Sequence, residues 1–159
     1  MGRYKYFPAK SAVRDLITDA HSDIEELAEE MGSWRDNMEG TAAENAPSYE
    51  IVTETAGTLE DQEDPTSEVD SLPQDLQDTQ VTWQDVKVTS GRQKTPSRAV
   101  RCSQVCHRFT TAAEAMRDWL PDVDDTPEDL DVSGIESLAD TLEEIAGNIE
   151  GLEFPGMYG

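Results

Sequence analysis

The sequence predicts a mainly α-helical chain, with duplicated helix–loop–helix units forming a helical bundle or rod and an acidic linker with a short β element between them. Three observations carry that prediction: an internal repeat, apolar positions spaced alternately three and four residues apart, and charge that changes sign along the chain.

The repeat comes first. Ala28-Glu29-Glu30-Met31-Gly32-Ser33-Trp34 matches Ala113-Glu114-Ala115-Met116-Arg117-Asp118-Trp119 at an offset of 85 residues. Ala56-Gly57-Thr58-Leu59-Glu60 matches Ala139-Asp140-Thr141-Leu142-Glu143 at an offset of 83. Ser11-Ala12-Val13-Arg14 resembles Ser97-Arg98-Ala99-Val100-Arg101 upstream of each copy. Anchors in the same order with nearly constant offset point to a duplication.

Each unit opens on a long helix. Val13, Ile17, Ala20, Ile24, Leu27, Met31, Trp34 and Met38 lie on one seam, and Ala99, Cys102, Cys106, Phe109, Ala113, Met116 and Leu120 on its counterpart. Pro8 and Pro96 mark the approaches, with Ser11 and Ser97 as N-caps. A second, shorter helix follows. Ile135, Leu138, Leu142, Ile145, Ile149 and Leu152 give a clear seam, with Ser133 and Glu136 at capping-box spacing. Tyr49, Val52, Ala56 and Leu59 give a weaker one; read alone, 48–55 also suits a strand, and the repeat argues for helix. A lone hairpin cannot bury its seam, whereas two hairpins or a dimer can.

Between the copies, residues 60–79 hold eight acids, no base and two prolines, which reads as an extended or disordered linker. Val81-Thr82-Trp83 and Val86-Lys87-Val88 suggest strand, with a partner expected from a dimer or another protein's sheet. The expected organisation is a basic tail plus hairpin over 1–61, the acidic linker with its β segment over 62–94, a second hairpin over 95–152, and a tail over 153–159.

Formal charge is −23, distributed as +4 over 1–14, −20 over 15–86, +6 over 87–108 and −13 thereafter. Direct nucleic-acid binding is therefore disfavoured except at the basic 87–108 segment. The acidity fits a nucleic-acid mimic, a binder of basic surfaces, or salt adaptation; only four of the twelve cations are lysine, as in proteins of salt-loving archaea. The basic islands either neutralise acidic helices within the fold, the favoured reading, or form an anion patch at Arg92, Lys94, Arg98, Arg101 and Arg108.

Other candidate interaction residues are aromatic or apolar. Trp34 and Trp119 sit at matching helix ends and Trp83 on the β segment. Tyr4, Tyr6 and Phe7 interleave with cations near the start, and Phe154, Met157 and Tyr158 close the chain. Each has a plainer reading, as seam end or tail packed on its own bundle, set against docking into neighbouring subunits.

Metal and catalytic constellations are poorly supported. Cys102, Cys106 and His107 supply three potential ligands, but the other histidine, His21, belongs to the other copy and Cys102 aligns with the apolar Ile17. The acidic run from Asp122 to Asp131 departs from a calcium loop, with Pro127 and Ser133 where Gly and Glu are required. No phosphate loop, nucleophile elbow or dinucleotide fingerprint occurs, so neither enzyme activity nor a cofactor is expected. No apolar run approaches the roughly 18 residues of a membrane span, and Met1–Lys10 does not read as a secretory signal.

Glu29-Glu30-Met31 through Trp34-Arg35-Asp36-Asn37-Met38, followed by a second amphipathic helix, resembles small acidic tailed-phage proteins whose Glu-rich helix ends in a Trp-x-Asp-Asn type motif. The resemblance covers the first copy and, less well, the second, where Trp119-Leu120-Pro121-Asp122 departs from the pattern. It implies a viral origin. The expected function is thus a non-catalytic protein–protein interaction protein, a structural or assembly component of a tailed virus, found in the virion or host cytoplasm and partnered by other subunits or its own copies. The alternative is an acidic, nucleic-acid-mimicking inhibitor of a host defence or DNA-binding protein.

Overall fold

A computed structural model describes residues 4–91, 95–121 and 123–155, with Val123 taken as backbone only. Helix accounts for 64% of the chain, and a two-stranded antiparallel sheet is its β content among the described residues, so the mainly helical class holds.

The largest departure from expectation lies at the start. Tyr4–Ala12, expected as a basic tail, is a strand, β1. It pairs with the strand β2, Gln80–Val88, in a register running from Tyr4 opposite Val88 to Ala12 opposite Gln80. The lone strand therefore finds its partner within the chain, with no dimer required. Val13 N–H continues the pairing by donating to Thr79 O at 2.9 Å. Ser11, expected as a helix cap, lies inside β1, and its Oγ accepts from Trp83 Nε1–H across the ribbon at 3.0 Å.

Helix α1 (Val13–Met38) starts without a side-chain cap, because the strand feeds directly into it at Ala12. Its 26 residues span about 39 Å at 1.5 Å per residue. Every expected seam residue is buried except Trp34, which is half-buried. Leu16 broadens the seam to the wider stripe of a helix packed on several neighbours. Helix α2 (Pro47–Glu60) has Pro47 in its first turn and buries Val52, Ala56 and Leu59, which excludes the strand reading of 48–55.

The stretch after α2 is not a solvated linker. It carries two single-turn helices, α3 (Thr66–Val69) and α4 (Gln74–Gln77), both touching α1. Val69, Leu72 and Leu76 are buried in the common core, and Gln77 Nε2 donates to Leu72 O at 2.8 Å. Three apolar residues at helical spacing hold the segment down, while its acids stay exposed to water.

Helix α5 (Arg98–Trp119) is capped as expected, Ser97 Oγ accepting from Val100 N–H. Its buried face is rotated from the expected seam: Ala99 is exposed, and Val105 and Ala112 are buried beside Cys102, Phe109, Ala113 and Met116. Helix α6 (Val132–Ile149) buries the predicted seam to Ile149, with Leu152 half-buried beyond its end. Its cap is Asp131, whose carboxylate accepts from Gly134 N–H at 2.9 Å, two residues before the expected Ser133.

Helices α1 and α2 pack together, as do α5 and α6, and α1 packs on α5. A single cluster runs through all four helices, α3, α4 and the Trp83 face of the ribbon. Near the end of the described chain Glu153 O accepts from the buried Thr55 Oγ1 at 2.8 Å, and Phe154 is half-buried against the core.

Candidate interaction surface

The +6 island is largely spent inside the molecule. Arg101 holds Glu30 of α1 through both guanidinium amino groups at 2.8 Å each, a bidentate pair. Arg98 Nε donates to the same carboxylate at 3.0 Å, and its guanidinium lies 5.5 Å from the Trp34 ring centroid. Two turns of α5 beyond Arg101, Arg108 Nη1 donates to Asp23 at 2.7 Å and stacks over Trp83 at 5.0 Å. These three arginines fasten α5 to α1 and do not form an open anion patch. Arg92 and Lys94 lie outside the described residues.

The electrostatics follow from those pairs. The Arg101 hydrogen bonds hold the Glu30 carboxyl below the usual carboxylate range, with Arg98 adding to the effect and partial burial opposing it. Glu30 in turn raises Arg101. On the same helix Asp19 shifts up, first through burial and then through its neighbour Asp15.

Among the described residues each arginine makes an ion pair: Arg14 with Asp15 and Asp78, Arg35 with Asp36 and Glu60, and Arg117 with Asp140 and Glu143, besides the three of α5 that reach α1. The described lysines behave differently. Lys5, Lys10 and Lys87 are exposed, stand on the ribbon, and have no ion pair among the described residues. Lys5 and Lys87 face each other directly in register. The strand that carries Lys5 and Lys10 has no clear local signal: Tyr4-Lys5-Tyr6 alternates, but Phe7 and Pro8 break the pattern, so 4–12 reads as a basic tail.

The aromatic candidates divide by environment. Trp83 is buried against α5, its ring centroid 6.3 Å from that of His107, whose Nε2 accepts from Gln84 N–H at 3.1 Å. Trp34 and Trp119 are half-buried and packed on the core at the ends of their helices. Tyr4 OH accepts from Ser97 N–H at 3.1 Å, tying the ribbon to the start of α5, and Phe7 is half-buried. Tyr6 is 55% exposed and is the large apolar side chain left open among the described residues. Met157 and Tyr158 lie outside the described residues.

Trp34 also borders an open cleft of about 830 Å³ lined by Glu26, Glu29, Asn37, Met38 and Arg98. The cysteines point elsewhere: Cys102 Sγ lies 3.5 Å from Ile149 O and Cys106 Sγ 3.4 Å from Ala146 O, both toward α6. The neighbouring thiol of Cys106, then burial, pushes Cys102 up, and Cys102 in turn lowers Cys106. Of the acidic run after α5, Asp131 is committed to capping α6 and Asp122 lies outside the described residues. No group of three or more His, Cys, Asp or Glu suited to a metal occurs among the described residues, nor does a helix long and apolar enough to cross a membrane.

No family model, curated protein or solved structure was found to match this chain.

Proposed function

We propose that this chain is a non-catalytic helical protein–protein interaction protein, acting as a structural or assembly component of a tailed virus particle. One observation carries the reading: charge is segregated by role. Among the described residues, arginines are consumed in pairs that hold the helices together, while exposed lysines stand on the ribbon and exposed acids cover the outer helix faces. Such a body fixes its own shape and offers neighbours two surfaces of opposite sign, which favours oriented docking. The viral assignment rests on the resemblance of Glu29 to Met38, which form the last turns of α1.

We also take the chain to be a duplication. The unit is then a strand and two helices, β1-α1-α2 and β2-α5-α6, with the two strands paired antiparallel and the two long helices packed together. That arrangement is what fusing the two protomers of a symmetric dimer would produce.

The test is quantitative mass spectrometry of purified particles of the source virus. Recovery at a fixed copy number per particle is expected; complete absence from particles and from assembly intermediates overturns the reading. A second reading, an acidic inhibitor that mimics nucleic acid, gains from the same geometry. Arg98, Arg101 and Arg108 turn into α1 and so do not interrupt the acidic surface, and the acid-walled cleft beside Trp34 suits a basic side chain. Stoichiometric capture of a DNA-binding host protein, competed by DNA, would favour it.

A further inference from the structure

We propose that the β1–β2 ribbon is a docking surface for an extended acidic peptide segment of a partner protein. The proposal deepens the interaction reading and rests on it. Lys5, Lys10 and Lys87 all stand here, exposed and without ion pairs among the described residues, in a chain whose acids outnumber its bases 35 to 12. With so many carboxylates available, three lysines left unpaired on one element mark a surface whose counter-charge comes from outside.

The register sharpens the point. Lys5 lies directly opposite Lys87, and like charges in facing positions of an antiparallel pair destabilise it. The ribbon's own acid, Asp85, accepts from Val86 N–H at 2.7 Å. An external carboxylate would relieve the Lys5–Lys87 repulsion. By strand alternation Lys5 flanks the outer edge of β1 on one face, while Tyr6 and Lys10 flank it on the other. A segment running along that edge meets both lysines and the exposed Tyr6 ring.

The mode is side-chain docking, not strand addition. Pro8 sits in the middle of β1 and has no N–H to offer a new strand. On β2 the Gln84 N–H is already held by His107. Nine residues of strand span about 30 Å, so a segment of similar length matches the surface.

Charge also selects the occupant. The body carries −23, and its repulsion of a large anion extends over a Debye length of about 8 Å at physiological salt. A slim peptide stays close to the lysines, whereas a nucleic-acid duplex or a second acidic copy brings many charges over the helices.

The test is a fluorescence-anisotropy titration of the full chain with a labelled nine-residue Glu/Asp peptide at low and high salt. Binding is expected at low salt, weakening as salt rises. Lys5→Glu/Lys10→Glu/Lys87→Glu should weaken it by about tenfold or more, equivalent to about 1.4 kcal/mol, while the all-arginine triple retains it. If the charge-reversed triple misfolds by circular dichroism, the all-glutamine triple serves instead. No binding at low salt, or binding indifferent to the triple, overturns the proposal. Tighter binding of a duplex DNA probe at equal salt replaces the peptide with nucleic acid, and lysine-dependent self-association in light scattering replaces it with a second copy. Particle copy number separates the two readings: a triple variant that still enters particles defeats the ribbon alone, and a wild-type chain absent from particles defeats the assembly reading alone.

Discussion

At the residue scale, the contacts between α5 and α1 decide what the basic island is for. Arg108 and Asp23 keep only 16% and 31% of their side-chain surface exposed, so removing one partner strands a poorly hydrated charge. Arg108→Met is expected to cost about 1–3 kcal/mol, with Trp83 stacking lost as well. A double-mutant cycle with Asp23→Asn should return a coupling well above the exposed-pair range of about 0.2–1 kcal/mol; a value near zero would return Arg108 to the anion patch. Glu30 gives the pH counterpart. Its folded-state pKa is depressed, chiefly by Arg101, so its contribution is complete above the ordinary carboxylate value and is lost as pH falls through the lower folded value. Thermal melts of wild type and Glu30→Gln should differ most near about pH 6 and converge toward about pH 3. Convergence at neutral pH would mean the bidentate pair adds nothing.

At the element scale, the segment 62–79 separates composition from spacing. Its acids suggested a linker, yet Leu76 is fully buried beneath α4. Leu76→Ala is expected to destabilise by about 2–5 kcal/mol in urea unfolding, as for other core truncations, and a change below about 0.5 kcal/mol would restore the linker. The start of α6 offers a finer contrast. Asp131→Ala should cost about 0.5–2 kcal/mol because its carboxylate caps Gly134 N–H, while Ser133→Ala should be near neutral. Helix positions were legible because burial writes a three–four rhythm: α1 and α6 follow theirs almost completely. The seam of α5 was drawn through Ala99 and missed Val105 and Ala112, since a helix packed on both α1 and α6 has no single stripe. β1 was illegible for another reason. A strand's identity depends on a partner, and that partner lies about 76 residues away, a separation no local pattern encodes. The candidate site was legible in part. Internal neutralisation of acidic helices, the favoured reading of the basic island, matches the pairs of Arg98, Arg101 and Arg108 with α1. Lys87 was expected on a strand, whereas Lys5 and Lys10 were expected in a tail.

At the scale of the whole molecule, two electrostatic effects oppose each other, and their ranges determine the balance. The net charge of −23 repels itself across the body, through interactions long enough for salt to screen efficiently. The attractive pairs that hold α5 to α1 act at 2.7–3.0 Å and are partly shielded from solvent, so salt weakens them far less. Added salt should therefore remove more repulsion than attraction. The melting temperature is expected to rise between about 0.02 M and 0.5 M sodium chloride, where the Debye length shrinks from roughly 20 Å to a few ångströms. Arg101→Met should melt lower at every salt concentration yet keep the upward slope, because the slope belongs to the net charge and the offset to the pair. The ribbon responds oppositely: its hold on an acidic segment is exposed and should fade over the same salt range in which the fold strengthens. A falling melting temperature would mean that the internal pairs outweigh the repulsion; the acidity would then be carried at little cost, and a search for a basic partner covering the outer helices would become the better course.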